Sequence, residues 1–248
     1  PPDPLAVYID TKKIPAAASG FSGFRIQPDS ASTSLNSDGT GQFRKTCSFS
    51  HMSFDDPIVA PGKPGGSHLH VFFGNTGVDA MSTQSSIENS GNSTCAGGIA
   101  NRTGYWVPAV VDTRDGAPQT PIDILVYYKS DPLPGSRTQP FPRGLRMIAG
   151  DPKAKGATSA IDWGCLRADG SERRGAAIPA ICAVGDTVEM TVNFPPCWDG
   201  VNLDAPDHKS HMAYPVGDPS SPTRMGCPPS HPVPVSYTHL TLPTIYSV

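Results

Sequence analysis

A mainly β, antiparallel fold with little helix is what the punctuation of this chain predicts. The first observation is the presence of 25 glycines and 28 prolines in 248 residues. Proline blocks helix interiors and glycine weakens them, so long helices are disfavoured. The second is a series of short runs rich in β-branched and aromatic residues, each bounded by turn residues, which is the pattern of strands. The third is the absence of an internal repeat or a clear boundary within the run-rich stretch. Together they predict one antiparallel β-sandwich or distorted jelly roll with long ordered loops.

The elements follow in order. Residues 1–20 are rich in proline and alanine and read as a linker or edge segment, ahead of a single β-rich domain over 21–235. "GFSGFRI" (20–26) reads as a short strand and "DSASTSLNSDGTG" as a polar loop. "QFRKTCSFSHMSF" (42–54) alternates as a strand does. "DDPIVAPGKPGG" is an irregular loop, and "SHLHVFFG" (67–74) has strand character from Val71, Phe72 and Phe73. If that run is extended, period two puts His68 and His70 on one face. Residues 78–91 are the best helix candidate. "TGYWVPAVVD" (103–112) and "PIDILVYYKS" (121–130) are strong strands, and "GLRMIAG", "SAIDWGCL" and "DTVEMTVNFP" add further ones. From Pro195 onward the chain is rich in Pro, Asp and Gly, with its loops held by Cys197 and Cys227.

Composition narrows the function classes. The net charge is -3 and only 17% of residues are charged, against about 25% usually. Without a cluster of Lys and Arg there is no nucleic-acid footprint. No apolar run approaches the roughly 20 residues of a membrane-spanning helix. The six cysteines, Cys47, Cys95, Cys165, Cys182, Cys197 and Cys227, include no CxxC pair, which speaks against a zinc ribbon or a thioredoxin motif. An even number of scattered cysteines fits disulfides in an oxidising compartment, and hence a secreted, extracellular protein. Pairing of sequence neighbours joins Cys47 to Cys95, Cys165 to Cys182 and Cys197 to Cys227. Two sequons, at Asn92 and Asn101, permit N-glycosylation in a eukaryotic host.

The last stretch, "SYTHLTLPTIYSV" (236–248), follows "CPPSHPVPV" abruptly. It reads as translated sequencing-adapter sequence, a non-native tail. Such a tail should pack poorly, or fill a place that other residues take in a relative, and its deletion should leave folding unchanged. His239 is therefore set aside as a site candidate.

Several segments in order, "CSFSHMSFDDPIVAPGKPGGSHLHVFFGN", "STCAGGIANRTGYWVPAVVD", "PFPRGLRMIAG", "FPPCWDGVNLDAPDHKSHMAYP" and "CPPSHPVPV", resemble the secreted family catalogued as domain of unknown function 1996. The resemblance spans roughly residues 43–235. That family occurs in fungi and bacteria, sometimes beside carbohydrate-binding WSC modules. The resemblance implies an extracellular setting connected with polysaccharide or the cell wall, and supplies no mechanism.

Six histidines sit in those same segments: His51, His68, His70, His208, His211 and His231. The pairs His68/His70 and His208/His211 suggest four imidazoles converging on zinc or copper, which accept nitrogen ligands more readily than calcium or magnesium do. Asp207 or Asp204 could orient a ligating ring. Without a metal, a His–Asp pair can serve as base and orienter in a hydrolase or lyase. Asp55, Asp56, Asp199, Asp204 and Asp207 are the available acids, and Asp55 and Asp56 also suit turn capping before Pro57. The bland alternative is that the histidines hydrogen-bond backbone carbonyls of proline- and glycine-rich loops. Trp106, Trp163, Trp198, Tyr105, Tyr127, Tyr128 and Tyr214 could offer faces to sugar rings, although burial in the core is the commoner use; Trp198, in a polar irregular setting, and Tyr214 are the binding candidates.

The expected function is therefore a secreted carbohydrate-active or cell-wall-associated protein. Its polar site would comprise the six histidines and Asp207, with His68, His70, His208 and His211 as metal ligands. The competing expectation is a non-catalytic wall or carbohydrate-binding protein whose histidines brace loops. A concave, water-accessible cluster favours the first; hydrogen-bonded histidines together with a surface strip of aromatics favour the second.

Overall fold

Val71, Phe72 and Phe73 make the short run His70–Gly74 (β2) apolar on both faces, and all five of its residues are buried. In the computed structural model, which describes residues 7–25, 41–130, 138–151, 158, 160–178, 182–218 and 225–245, β2 lies between two antiparallel neighbours. One is Gln42–Ser53 (β1), paired as Phe49 with Phe73 and Ser53 with His70. The other is Gly104–Pro108 (β3), paired as Phe72 with Trp106 and Gly74 with Gly104.

The chain divides into two compact units, each made of two stretches: Pro1–Gln27 with Thr46–Ile124, and Pro28–Lys45 with Leu125–Val248. The first unit holds the order β3-β2-β1, a hairpin of Val111–Asp112 (β4) and Ala117–Pro118 (β5), and the disulfide Cys47–Cys95. Pro108 ends β3, so the expected long strand 103–112 is split into two short ones. The expected helix is the single six-residue element Gln84–Asn89 (α1). It is capped by Thr83, whose hydroxyl accepts from the Ser86 N–H while the Ser86 hydroxyl accepts from the Thr83 N–H. Buried Asn75, 1% exposed, donates to the carbonyls of Ile87 and Ser90 and accepts from the Gly77 N–H. Gly91, with φ of 79°, packs so close to the Asn75 side-chain oxygen that a Cβ there would overlap it. The run 20–26 contributes single bridges, Phe21 to Ser93 and Phe24 to Gly98.

In the second unit the order is β1, whose first residues belong here, then Asp123–Lys129 (β6), which belongs here from Leu125, Tyr237–Ile245 (β13), Thr187–Asn193 (β9), Ile161–Leu166 (β7) and Glu172–Gly175 (β8). The pairings among β6, β13, β9, β7 and β8 are antiparallel. A small three-stranded sheet places Cys197–Trp198 (β10) between Met212–Ala213 (β11) and Val233–Pro234 (β12). The disulfides Cys165–Cys182 and Cys197–Cys227 both form here, so all three expected pairings are present. The mainly β, antiparallel expectation describes the molecule: eight strands lie in the one order and five in two small sheets.

Two expectations change. "GLRMIAG" forms no strand: the Arg146 N–H donates to the Leu203 carbonyl and the Ile148 N–H to the His208 carbonyl, so its partner is an irregular loop. Of the two outcomes expected for the tail, poor packing is not what its backbone pairing gives. β13 pairs on both sides, from Tyr237 with Lys129 to Thr241 with Leu125, and from His239 with Asn193 to Ile245 with Thr187. Its threonines, leucines and isoleucine suit a central strand whatever their origin, and Leu240 is buried.

Candidate functional site

The six candidate histidines fall into two groups of three, one in each unit. In the first unit, His51 on β1 lies flat on Phe72, 4.6 Å between ring centroids and 5° between planes. Its Nε2–H donates to the Val78 carbonyl at 2.9 Å, so Nδ1 holds the lone pair and accepts from the Ser50 hydroxyl at 2.9 Å. Burial pushes the His51 pKa below its ordinary value. His70, also buried, donates Nδ1–H to the Asp55 carbonyl at 3.0 Å. Its Nε2 stands 3.9 Å from the Asp56 carboxylate. Burial pushes its pKa down too, against the pull of that carboxylate. The rings of His68 and His70 do come together, 5.0 Å between centroids, with His68 exposed.

The acids beside these rings hold turns. Asp56 accepts from the N–H groups of Ile58 and Val59, each at 2.8 Å. Asp55 accepts from the Ser53 hydroxyl and the Gly65 N–H. Burial would raise the Asp55 pKa, but these hydrogen bonds outweigh it and hold the carboxyl below its ordinary value.

In the second unit, the loop tied by Cys197–Cys227 carries the other three. His211, 1% exposed, donates Nε2–H to the Arg146 carbonyl at 2.6 Å, and its Nδ1 has no hydrogen-bond partner. His231 donates Nε2–H to the Ser210 carbonyl at 3.0 Å, and its Nδ1 accepts from the Ser230 hydroxyl. His208 is different: its Nδ1–H donates to the Asp204 carboxylate at 2.7 Å. Its backbone stands in the left-handed region, φ 56°, the only non-glycine among the described residues to do so. Asp204 also faces the Arg146 guanidinium at 3.9 Å. Asp207, named from the sequence as a partner, instead caps the turn by accepting from the N–H groups of Ser210 and Lys209, which hold its pKa down to about 2. Asp199 likewise accepts from Val201 and Asn202.

Among the described residues, no three His, Cys, Asp or Glu side chains are grouped so as to hold a metal ion. A four-imidazole zinc or copper centre therefore gains no support from the geometry. Sequence reasoning missed two components of this arrangement. Arg146 offers its carbonyl to His211 and its guanidinium to Asp204, which only the fold reveals. The serines were legible: Ser-His occurs at 50–51, 67–68, 210–211 and 230–231, and in two of these the serine hydroxyl engages Nδ1 of the next ring.

The aromatic candidates also separate. Trp106 stacks on Phe72 at 5.8 Å, inside the first unit's cluster. Half-buried Trp198 donates its indole N–H to the Asn202 carbonyl at 2.6 Å. Tyr214, 38% exposed, donates its hydroxyl to the Asn193 carbonyl at 2.7 Å. A strip that sequence reasoning did not assemble lies where β1 starts beside β6. Phe43, 56% exposed, stacks on Tyr128 at 4.6 Å and 14°. Phe141 stands edge-to-face with Tyr128 at 6.4 Å and 73°.

The family described as Domain of unknown function (DUF1996) matches residues 56–248. The chain belongs to this family. The match takes in His68, His70, His208, His211 and His231 and runs through β13. Neither curated proteins nor solved structures give a match. Three disulfides are in keeping with a DUF1996 protein that matures in an oxidising compartment. No helix among the described residues is long and apolar enough to cross a membrane.

Proposed function

We propose that this DUF1996 protein is an extracellular, non-catalytic binder of polysaccharide or cell wall. The observation that carries the reading is the strip of Phe43, Tyr128 and Phe141, in which exposed Phe43 stacks on half-buried Tyr128 and half-buried Phe141 is set edge-on. Flat aromatic faces suit the apolar faces of sugar rings, and stacking at such a surface needs no reorganisation of the protein. The histidines support the reading from the other side. Four of the six donate a ring N–H to a backbone carbonyl within their own unit, as loop braces do. The test is co-sedimentation and titration calorimetry against insoluble and soluble wall polysaccharides. F43A with Y128A should weaken binding at least tenfold, while H68A leaves it unchanged. Equal binding by wild type and the double variant would discard the strip.

One observation favours a second reading, a carbohydrate-active enzyme. His208 is oriented by Asp204 through Nδ1, which leaves Nε2 as the lone-pair nitrogen of a general base, at a backbone position that costs about 1–2 kcal/mol to hold. Turnover of a wall polysaccharide that is lost in H208A and D204N, with the fold intact, would establish it. Full turnover in both variants would exclude it.

A further inference from the structure

The two sequons of the first unit meet different fates when it folds. Asn92 is engaged: its Nδ2 donates to the Ser19 carbonyl at 2.8 Å and its backbone N–H to the Thr76 hydroxyl at 3.1 Å. Gly20, φ 64°, lies so close that a Cβ there would come within 3.1 Å of the Asn92 Cβ. Ser93 is fully buried. The Thr94 hydroxyl is spent on the Ser48 carbonyl at 2.6 Å and on the Gly74 N–H at 2.9 Å. Asn101 is the opposite case. Its side-chain oxygen accepts from the Thr103 N–H at 3.2 Å, forming an Asx turn. Its Nδ2 has no partner among the described residues, and Thr103 is exposed. Arg102 between them is drawn aside, donating to the carbonyls of Gly91 and Glu88.

We propose that Asn101 is the N-glycosylation site of this protein in a eukaryotic secretory pathway, and that Asn92 is not one. In the transfer, a bond forms between Asn101 Nδ2 and C1 of the first sugar. The bond from C1 to the pyrophosphate of a lipid-linked oligosaccharide breaks, the lipid pyrophosphate leaves, and Nδ2 gives up one proton. A glycan on Asn92 would have to enter the space that the Ser19 carbonyl occupies, so folding selects against that product. A glycan on Asn101 extends from a turn whose hydrogen bond uses the oxygen and not the nitrogen. The inference rests on the extracellular reading only for the compartment.

The test expresses the full chain behind a host secretion leader in eukaryotic cells. Secreted and retained protein are both peptide-mapped after enzymatic deglycosylation in heavy-oxygen water, which labels each former glycan site. The label should fall on Asn101 alone; N101Q should lose the single glycan from the intact mass and N92Q should keep it. An unlabelled Asn101, or a label on Asn92, overturns the proposal. Because the leader imposes the compartment, failure of polysaccharide binding leaves this result standing, and the reverse holds too.

Discussion

His51 and His70 share one electrostatic feature in the folded protein: burial lowers each pKa from the ordinary value of 6.5. A histidine lowered on folding contributes stability that is whole above the unfolded value. That stability is lost as pH falls below it, because the unfolded chain takes up the proton first. Each ring therefore costs up to about 1.4 kcal/mol per pH unit between its unfolded and folded values. Melting measured from pH 7.5 to 4.5 should show stability falling below about pH 6.5, and H51Q should make that slope shallower. An unchanged slope in H51Q would place the proton uptake elsewhere. In the second unit the histidines should separate by substitution. H211A removes a buried ring and strips the Arg146 carbonyl of its donor, a loss of about 3 kcal/mol. H208A removes a part-exposed hydrogen bond to Asp204 and should cost about 1 kcal/mol, measured by urea unfolding. That difference was not legible in "DHKSH", where spacing made the two rings look equivalent. What distinguishes them is Arg146 and Asp204, neither of which lies in that stretch, although the acid shortly precedes it.

Strands were legible where the pattern alternated over a whole run, as in β1, or where β-branched and aromatic residues were concentrated, as in β6 and β9. The two-residue pairs β4, β5, β10, β11 and β12 were not, because their register is fixed by neighbours and a disulfide and not by a local pattern. β13 is the instructive element. Its composition fits a strand, yet its origin reads as foreign, and the fold places its backbone between β6 and β9. A central strand satisfies the backbone groups of both neighbours, so its loss leaves two ladders open. Truncation after Val235 should therefore lower the melting temperature by more than 10 °C or give insoluble protein. Unchanged melting would restore the expectation that these residues are dispensable.

Each of the three disulfides closes within a single unit, and this gives the whole molecule a set of independent staples. The enclosed separations are 48, 17 and 30 residues, for which loop entropy gives about 3–4 kcal/mol each when the native geometry tolerates the link. Cys197–Cys227 is the one that bears on function, because the loop it ties holds His208 and His211, whereas Phe43, Tyr128 and Phe141 lie outside it. In a C197S/C227S variant, hydrogen exchange should therefore quicken over residues 199–211 as the ring-to-carbonyl braces open more often. If the aromatic strip does the binding, polysaccharide affinity should stay within about twofold of wild type at a temperature where the variant remains folded. If instead the oriented His208 does chemistry, the same variant should lose most of its turnover, because a base displaced by 1 Å can lose about a hundredfold in rate. Affinity retained without turnover in either protein supports the binder; affinity lost together with loop protection would move the recognition surface to the disulfide-tied loop.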